Sequence, residues 1–86
     1  MFPRSILPPG MTLREFGERL WGRGEADALT RANTVNREEL IELGLTREKA
    51  VVLMDFYGRQ AASGRGLPTS IARRELLRKC VELLTE

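Results

Sequence analysis

The sequence predicts an all-α fold, a compact bundle of four to five short helices preceded by an extended, proline-rich segment over residues 1–10. Three observations lead to this prediction. Apolar residues recur at three- and four-residue spacing, polar capping residues precede several of these runs, and no segment shows the sustained two-residue alternation of a strand. A chain of 86 residues has room for one domain, which we place at residues 11–86.

The first ten residues contain three prolines, which remove backbone donors and restrict the residues before them. We therefore expect this segment to be non-helical and to act as a linker or a strap. Apolar side chains within it are candidates to anchor the strap on the core, namely Phe2, Ile6 and Leu7.

Four of the predicted helices begin at a residue whose side chain caps the free N–H groups of the first turn. These predicted caps are Thr12, Asn36, Thr46, and either Thr69 or Ser70. The expected ends are Gly22 to Gly24, Gly44, about Ala62 and nearly Glu86. A short second helix is predicted around residues 25–32, because the acidic residues of its first turn suit the positive end of the helix dipole. Gly17, inside the buried face of the first helix, predicts the close approach of a neighbouring backbone.

Composition excludes several kinds of catalytic and metal site. Histidine is absent and Cys80 is the single cysteine. Serine triads, histidine-based metal sites, zinc clusters and an intrachain disulfide are therefore excluded, and we expect no metal and no cofactor. No apolar run reaches the roughly 18 residues of a membrane-spanning helix, so no stable membrane insertion is expected. Cys80 falls in the apolar stripe of the last helix and is interpreted as a small core residue.

Arg73 is the unusual residue of the sequence. A helical wheel places it near the centre of the apolar stripe of the last helix, so its guanidinium should point inward. A buried cation requires an anionic or carbonyl partner, or a route to water along its long side chain. One interpretation is an arginine that holds an anionic ligand at the lip of a groove. The alternative is a structural arginine that joins this helix to a glutamate or to the carbonyls that end another helix.

Three further arginines are candidates for anion binding, because the stretch between Asp55 and Glu75 contains no acid. They are Arg59, Arg65 and Arg74. The glycines beside Arg65 form a weak anion-site pattern, and a solvated basic face is the alternative. Trp21 and Tyr57 are candidate groove aromatics, with a core role as the alternative.

A second candidate site is the turn between the third and fourth predicted helices. The spacing of Gly44 and Ala50 is similar to that of a helix-hairpin-helix module, which binds the DNA backbone through hairpin amides. Thr46 replaces the second glycine of that module, and four glutamates lie nearby. Because acid beside phosphate is repulsive, the electrostatics favour a plain packing unit over a DNA-binding hairpin.

Several short motifs occur in an order that resembles a known kind of domain. They are Phe16-Gly17, Trp21-Gly22-x-Gly24, Leu40-x-x-x-Gly44-Leu45-Thr46-x-x-x-Ala50, Phe56-Tyr57 and Pro68-x-Ser70-x-x-Arg73-x-x-Leu76. Over residues 10–85 the chain looks like the small helical domain at the C-terminal end of large bacterial polymorphic toxins, such as the Rhs-type and two-partner secreted proteins.

This resemblance implies an antibacterial toxin domain that is secreted as part of a larger protein. It would be delivered into the target bacterial cell and neutralised by a cognate immunity protein. The resemblance implies no reaction and supplies no catalytic residues, so whether the domain is an enzyme stays open. The sequence leaves two other functions open, a small nucleic-acid-binding module and a protein-interaction adaptor whose groove takes a partner helix.

Overall fold

The computed structural model describes residues 2–85, which contain helices and no strand. The predicted all-α fold is therefore confirmed for this part of the chain. A 3-10 turn at Arg4–Ile6 precedes five α-helices. Their bounds are α1 Leu13–Leu20, α2 Gly24–Thr34, α3 Arg37–Leu43, α4 Arg47–Ala62 and α5 Thr69–Leu84.

Three of the predicted helix caps are confirmed. The side chains of Thr12, Asn36 and Thr46 each accept a hydrogen bond from the backbone N–H three residues later, at 2.9–3.2 Å. Gly44 ends α3 in the left-handed conformation, with φ of 87°. Since few other residues adopt this conformation without strain, the glycine sets the sharp turn into α4.

The predicted cap of α5 is wrong. Thr69 is the first residue of the helix, Pro68 precedes it, and no side chain caps this end. The Ser70 hydroxyl instead donates to the carbonyl oxygen of Arg65 at 2.9 Å. Ser70 is therefore buried beneath the preceding loop and fastens that loop to the helix.

The N-terminal segment is not wholly extended, because residues 4–6 form a 3-10 turn. The N–H of Ile6 donates to the carbonyl of Pro3 at 3.2 Å. Pro3 precedes the turn, where its missing N–H removes no hydrogen bond from it. The predicted anchoring is confirmed, since Ile6 is buried and both Phe2 and Leu7 pack against the core.

The second helix is longer than predicted, because it begins at Gly24 and ends at Thr34. Gly22 and Gly24 both have positive φ, so the chain turns between α1 and α2 within a few residues. The Asp27 carboxylate accepts from the N–H of Arg23 at 2.8 Å and stabilises this end of α2.

Helix α5 lies against three of the other helices, α2, α3 and α4. Its buried apolar side chains belong to one core that the N-terminal strap also joins. The residues of α5 in this core are Ala72, Leu76, Leu77 and Cys80. Arg73 follows Ala72 along α5 and is only partly buried, so the fold places it between the core and the surface, where the candidate site lies.

Candidate functional site

Arg73 reaches inward from α5 and lies on two aromatic rings. Its guanidinium carbon is 4.9 Å from the ring centroid of Trp21 and 5.6 Å from that of Tyr57. Its Nη1 donates to the Tyr57 hydroxyl at 3.4 Å. The inward orientation expected from the helical wheel is present, and cation–π attraction to two ring faces stabilises the charge there.

No carboxylate or carbonyl of residues 2–85 accepts a hydrogen bond from Arg73. The Nε atom is enclosed and has no hydrogen-bond partner. The alternative interpretation of Arg73 was a structural arginine joined to a glutamate or to helix-terminal carbonyls. Within residues 2–85 Arg73 forms neither of these contacts. An enclosed donor without an acceptor is unfavourable by roughly 1–3 kcal/mol.

The rings beneath Arg73 belong to an aromatic cluster of Phe2, Phe16, Trp21, Phe56 and Tyr57. Neighbouring rings meet edge to face, with centroids 5.0–6.5 Å apart. This arrangement places the positive ring edges against the negative ring faces. Trp21 and Tyr57, predicted as groove aromatics or core residues, are buried in this cluster and also line a small cavity.

Gly17 gives the Trp21 indole its place in the cluster. A Cβ atom at Gly17 would lie 3.0 Å from the indole Nε1 of Trp21. The predicted neighbour of Gly17, another backbone, is wrong, because the close contact is with a side chain one turn later. Gly17 therefore positions the ring on which Arg73 lies.

The surroundings of the Tyr57 hydroxyl shift its pKa in two opposing directions. Burial raises the pKa of Tyr57, whereas the charge of Arg73 and its hydrogen bond lower it, and burial has the larger effect. Tyr57 is consequently a neutral phenol at physiological pH. A neutral phenol that accepts a hydrogen bond from Arg73 still has its own O–H to donate.

A cavity of about 270 Å³ opens beside these residues. It is lined by Phe2, Leu13, Arg14, Gly17, Glu18, Trp21, Gly22, Tyr57 and Arg73. The carboxylate of Glu18, at its rim, lies 3.4 Å from a guanidinium nitrogen of both Arg14 and Arg23. The Glu18 carboxylate is thus paired with two exposed arginines, of which Arg14 also lines the cavity.

The four candidate arginines do not meet at one place. Arg59 pairs with Asp55 at 3.1 Å, and Arg65 lies in the exposed loop before α5. Arg74 is exposed, and a Cβ atom at Gly58 of α4 would lie 3.3 Å from its Nε. Only Arg73 of these four lies on the aromatic cluster, while Arg59 and Arg74 line a groove between α4 and α5.

The groove between α4 and α5, which we call the α4–α5 groove, is the larger of these two concave surfaces. Its volume is about 860 Å³. Val52 is 42% exposed and Ile71 is 51% exposed, and both line it. The remaining lining residues are Val51, Met54, Asp55, Gly58, Arg59, Ala61, Ala62 and Arg74. The sequence did not predict this groove, because an exposed apolar residue on one helix does not reveal which residue of another helix lies beside it.

The turn between α3 and α4 uses its own polar groups internally. The N–H groups of Gly44 and Leu45 donate to carbonyls of α3 at 3.0 Å, and the Thr46 hydroxyl caps α4. A DNA-binding hairpin presents such amides to phosphate. Their occupation within the turn favours the packing-unit interpretation of Gly44 to Ala50.

Arg31 is a structural arginine that joins helices through a carbonyl and a carboxylate, the role given to Arg73 in its alternative interpretation. Its Nε donates to the carbonyl of Leu20 at 3.1 Å, and its Nη2 lies 3.2 Å from the Glu39 carboxylate. It thereby joins α2 to the C-terminal end of α1 and to α3.

Cys80 is fully buried in the core, near Arg31. Burial raises the pKa of its thiol to about 12, and the charge of Arg31 has a smaller, opposite effect on this pKa.

Within residues 2–85, no group of three or more His, Cys, Asp or Glu side chains lies close enough together to hold a metal ion. Among the helices of the same range, none has the length and apolarity required to cross a membrane.

The fold and the site together define a small all-helical domain with an arginine held on an aromatic cluster and an apolar groove beside it. A family model for a domain of unknown function, DUF4951, matches residues 3–84. The chain belongs to this family. No curated protein and no solved structure matches it.

Proposed function

We propose that this domain is a protein-interaction module that binds an amphipathic helix of a partner in the α4–α5 groove. The observation that carries this proposal is the exposure of Val52 on α4 and Ile71 on α5, which line one concave surface. Single exposed apolar residues are common, but two that share a groove offer an anchor site for helical side chains. Apolar residues spaced along one face of a helix fit such a groove.

The charges at the groove predict the flanks of the partner helix. Arg59 is neutralised by Asp55, whereas Arg74 has no ion-pair partner among residues 2–85. Gly58 leaves space for the Arg74 side chain against α4. The rim therefore carries an unpaired positive charge, and a partner helix with acidic residues beside its apolar stripe complements it.

A randomised library of helical peptides displayed on phage tests this proposal without a known partner. Selection on the immobilised domain is expected to enrich peptides with an apolar stripe and acidic flanks. Ile71→Asp should weaken binding of an enriched peptide by at least about tenfold, because it places a charge in the apolar groove. Leu29→Asp is the matched control, since Leu29 is 46% exposed on α2 and does not line the groove.

A charge-reversal pair tests the acidic flanks. Arg74→Glu should weaken the same peptide, and replacement of one flanking glutamate of the peptide by arginine should restore binding. Enriched peptides that carry basic flanks, or that bind wild-type and Ile71→Asp equally well, would contradict the proposal. Circular dichroism of each variant identifies a loss of helicity, which would otherwise imitate a loss of binding.

Antibacterial toxicity and neutralisation by an immunity protein stay predictions that rest on the sequence resemblance. An immunity protein would be one partner for the α4–α5 groove. Induced expression in the bacterial cytoplasm and periplasm, with and without the neighbouring open reading frame, tests the toxin hypothesis. Harmless high-level expression in both compartments would count against a toxin and in favour of an adaptor.

A further inference from the structure

We propose that the cavity beside Arg73 is a binding site for a small carboxylate, distinct from the α4–α5 groove. The two concave surfaces share no lining residue. The carboxylate would be held by the guanidinium of Arg73, the hydroxyl of Tyr57 and the indole N–H of Trp21. All three residues line the same cavity, and within residues 2–85 no carboxylate accepts a hydrogen bond from any of these donors.

The donors at this cavity outnumber the acceptors that residues 2–85 supply to them. A guanidinium has five N–H groups, and for Arg73 the single partner among residues 2–85 is the Tyr57 hydroxyl. That hydroxyl accepts from Arg73, and its own O–H donates to no described group. The Trp21 indole N–H likewise has no hydrogen-bond partner in this part of the chain. Three kinds of donor thus meet at one cavity, and within residues 2–85 their single hydrogen-bond acceptor is that hydroxyl.

The positive charge of Arg73 is not balanced by a carboxylate of residues 2–85. Arg73 is partly buried, and its Nε is enclosed without a hydrogen-bond partner. The faces of the Trp21 and Tyr57 rings attract its positive charge but do not neutralise it. Among residues 2–85 the acid at the rim is Glu18, which is already paired with exposed arginines. One negative charge placed against the guanidinium would balance the enclosed positive charge.

The shape and charge of the guanidinium favour a carboxylate over other anions. The terminal nitrogens of a guanidinium form a planar fork that donates two parallel hydrogen bonds to a carboxylate. A monoanion balances the single charge of Arg73, whereas a phosphate dianion would leave an excess negative charge against the aromatic rings. Phe2 and Leu13 add apolar surface to the cavity, so a carboxylate attached to a small apolar group fits it best.

The single tryptophan of the chain lies at the site, so its fluorescence reports binding directly. The probe is cyclohexanecarboxylate, which does not absorb at the excitation wavelength, and its neutral isostere cyclohexanecarboxamide is the control. We expect a saturable change in Trp21 emission with the carboxylate and none with the carboxamide. This comparison uses the wild-type protein and does not depend on the stability of any variant.

Variants then identify the residue responsible. Arg73→Lys keeps the charge but loses the planar fork, and should weaken binding at least about tenfold, while Arg73→Gln should abolish it. Lys79→Gln removes one positive charge from an exposed position of the same helix and should leave binding unchanged. Helicity and the thermal transition of each variant are measured alongside.

Three results would overturn the proposal. An equal response to the carboxamide would show an apolar cavity without anion recognition. Unchanged binding in folded Arg73→Gln would remove the arginine from the site. Tighter binding of inorganic phosphate than of the carboxylate would assign the cavity to a different class of anion. None of these results bears on peptide binding in the α4–α5 groove, so the two proposals fail independently.

Discussion

Arg31 and Arg73 show two ways in which this small protein accommodates an arginine that points inward. Arg31 donates to a helix-terminal carbonyl and to the Glu39 carboxylate. Arg73 lies on two ring faces and leaves Nε without an acceptor. The first arrangement satisfies the charge within the fold, and the second leaves the terminal N–H groups of Arg73 for an external group. Arg31 is therefore expected to contribute to stability and Arg73 to binding.

Replacement of Arg31 by methionine should destabilise the domain by about 2 kcal/mol, because the Leu20 carbonyl and the Glu39 carboxylate lose a charged donor. Arg19→Met is the matched control. The Arg19 side chain is exposed and forms no hydrogen bond or ion pair with residues 2–85, so its loss should change stability by less than about 0.5 kcal/mol. Urea unfolding followed by circular dichroism measures both, and equal midpoints would contradict the structural role of Arg31.

The two arginines were not equally predictable from the sequence. Arg73 falls in the apolar stripe of its own helix, so the helical period alone turns it inward. The partners of Arg31 lie on α1 and α3, and no local pattern brings these helices together. The stacking of Arg73 on Trp21 was not predictable for the same reason, since it depends on how the end of α1 packs against α4 and α5.

At the scale of helices, the polar caps explain where three of the five helices begin. Thr12, Asn36 and Thr46 were predictable because each precedes an apolar run and uses its side chain on the third residue of the helix. The start of α5 was not predictable in this way, because the sequence around Ser70 is equally typical of a helix cap. Its hydroxyl is used by the carbonyl of Arg65, in a loop whose path the sequence does not specify.

A pair of threonine variants tests this distinction between a cap and a first helical residue. Thr46→Ala should destabilise the domain by about 1 kcal/mol, since it removes the acceptor for the N–H of Lys49. Thr69→Ala deletes the same atoms at the start of α5, where no side chain caps the helix, and should cost about 0.5 kcal/mol or less. Thermal unfolding of both variants measures the difference, and a larger loss for Thr69→Ala would contradict the assignment.

At the scale of the whole molecule, stability should decrease in alkaline solution. Burial raises the pKa of the Cys80 thiol from 9.0 to about 12, so the folded protein keeps a proton that the unfolded chain releases. The contribution of this group is complete below pH 9 and is lost as the pH rises toward 12. The Tyr57 hydroxyl acts in the same direction, because its pKa is also raised.

The variant Cys80→Ala isolates the thiol from the other titrating groups. Between pH 7 and pH 10 the wild type should lose on the order of 1 kcal/mol more stability than Cys80→Ala, because the variant has no thiol to ionise on unfolding. Urea unfolding at both pH values measures this difference. Parallel losses in the two proteins would show that Cys80 titrates normally in the folded state.

Helix α5 also determines when the chain can become structured during synthesis. Its residues Leu76, Leu77 and Cys80 complete a core to which α2, α3 and α4 contribute their own apolar faces. Until the ribosome has released the chain beyond Cys80, those faces lack the helix that covers them. The nascent polypeptide is therefore expected to stay unfolded until α5 leaves the exit tunnel.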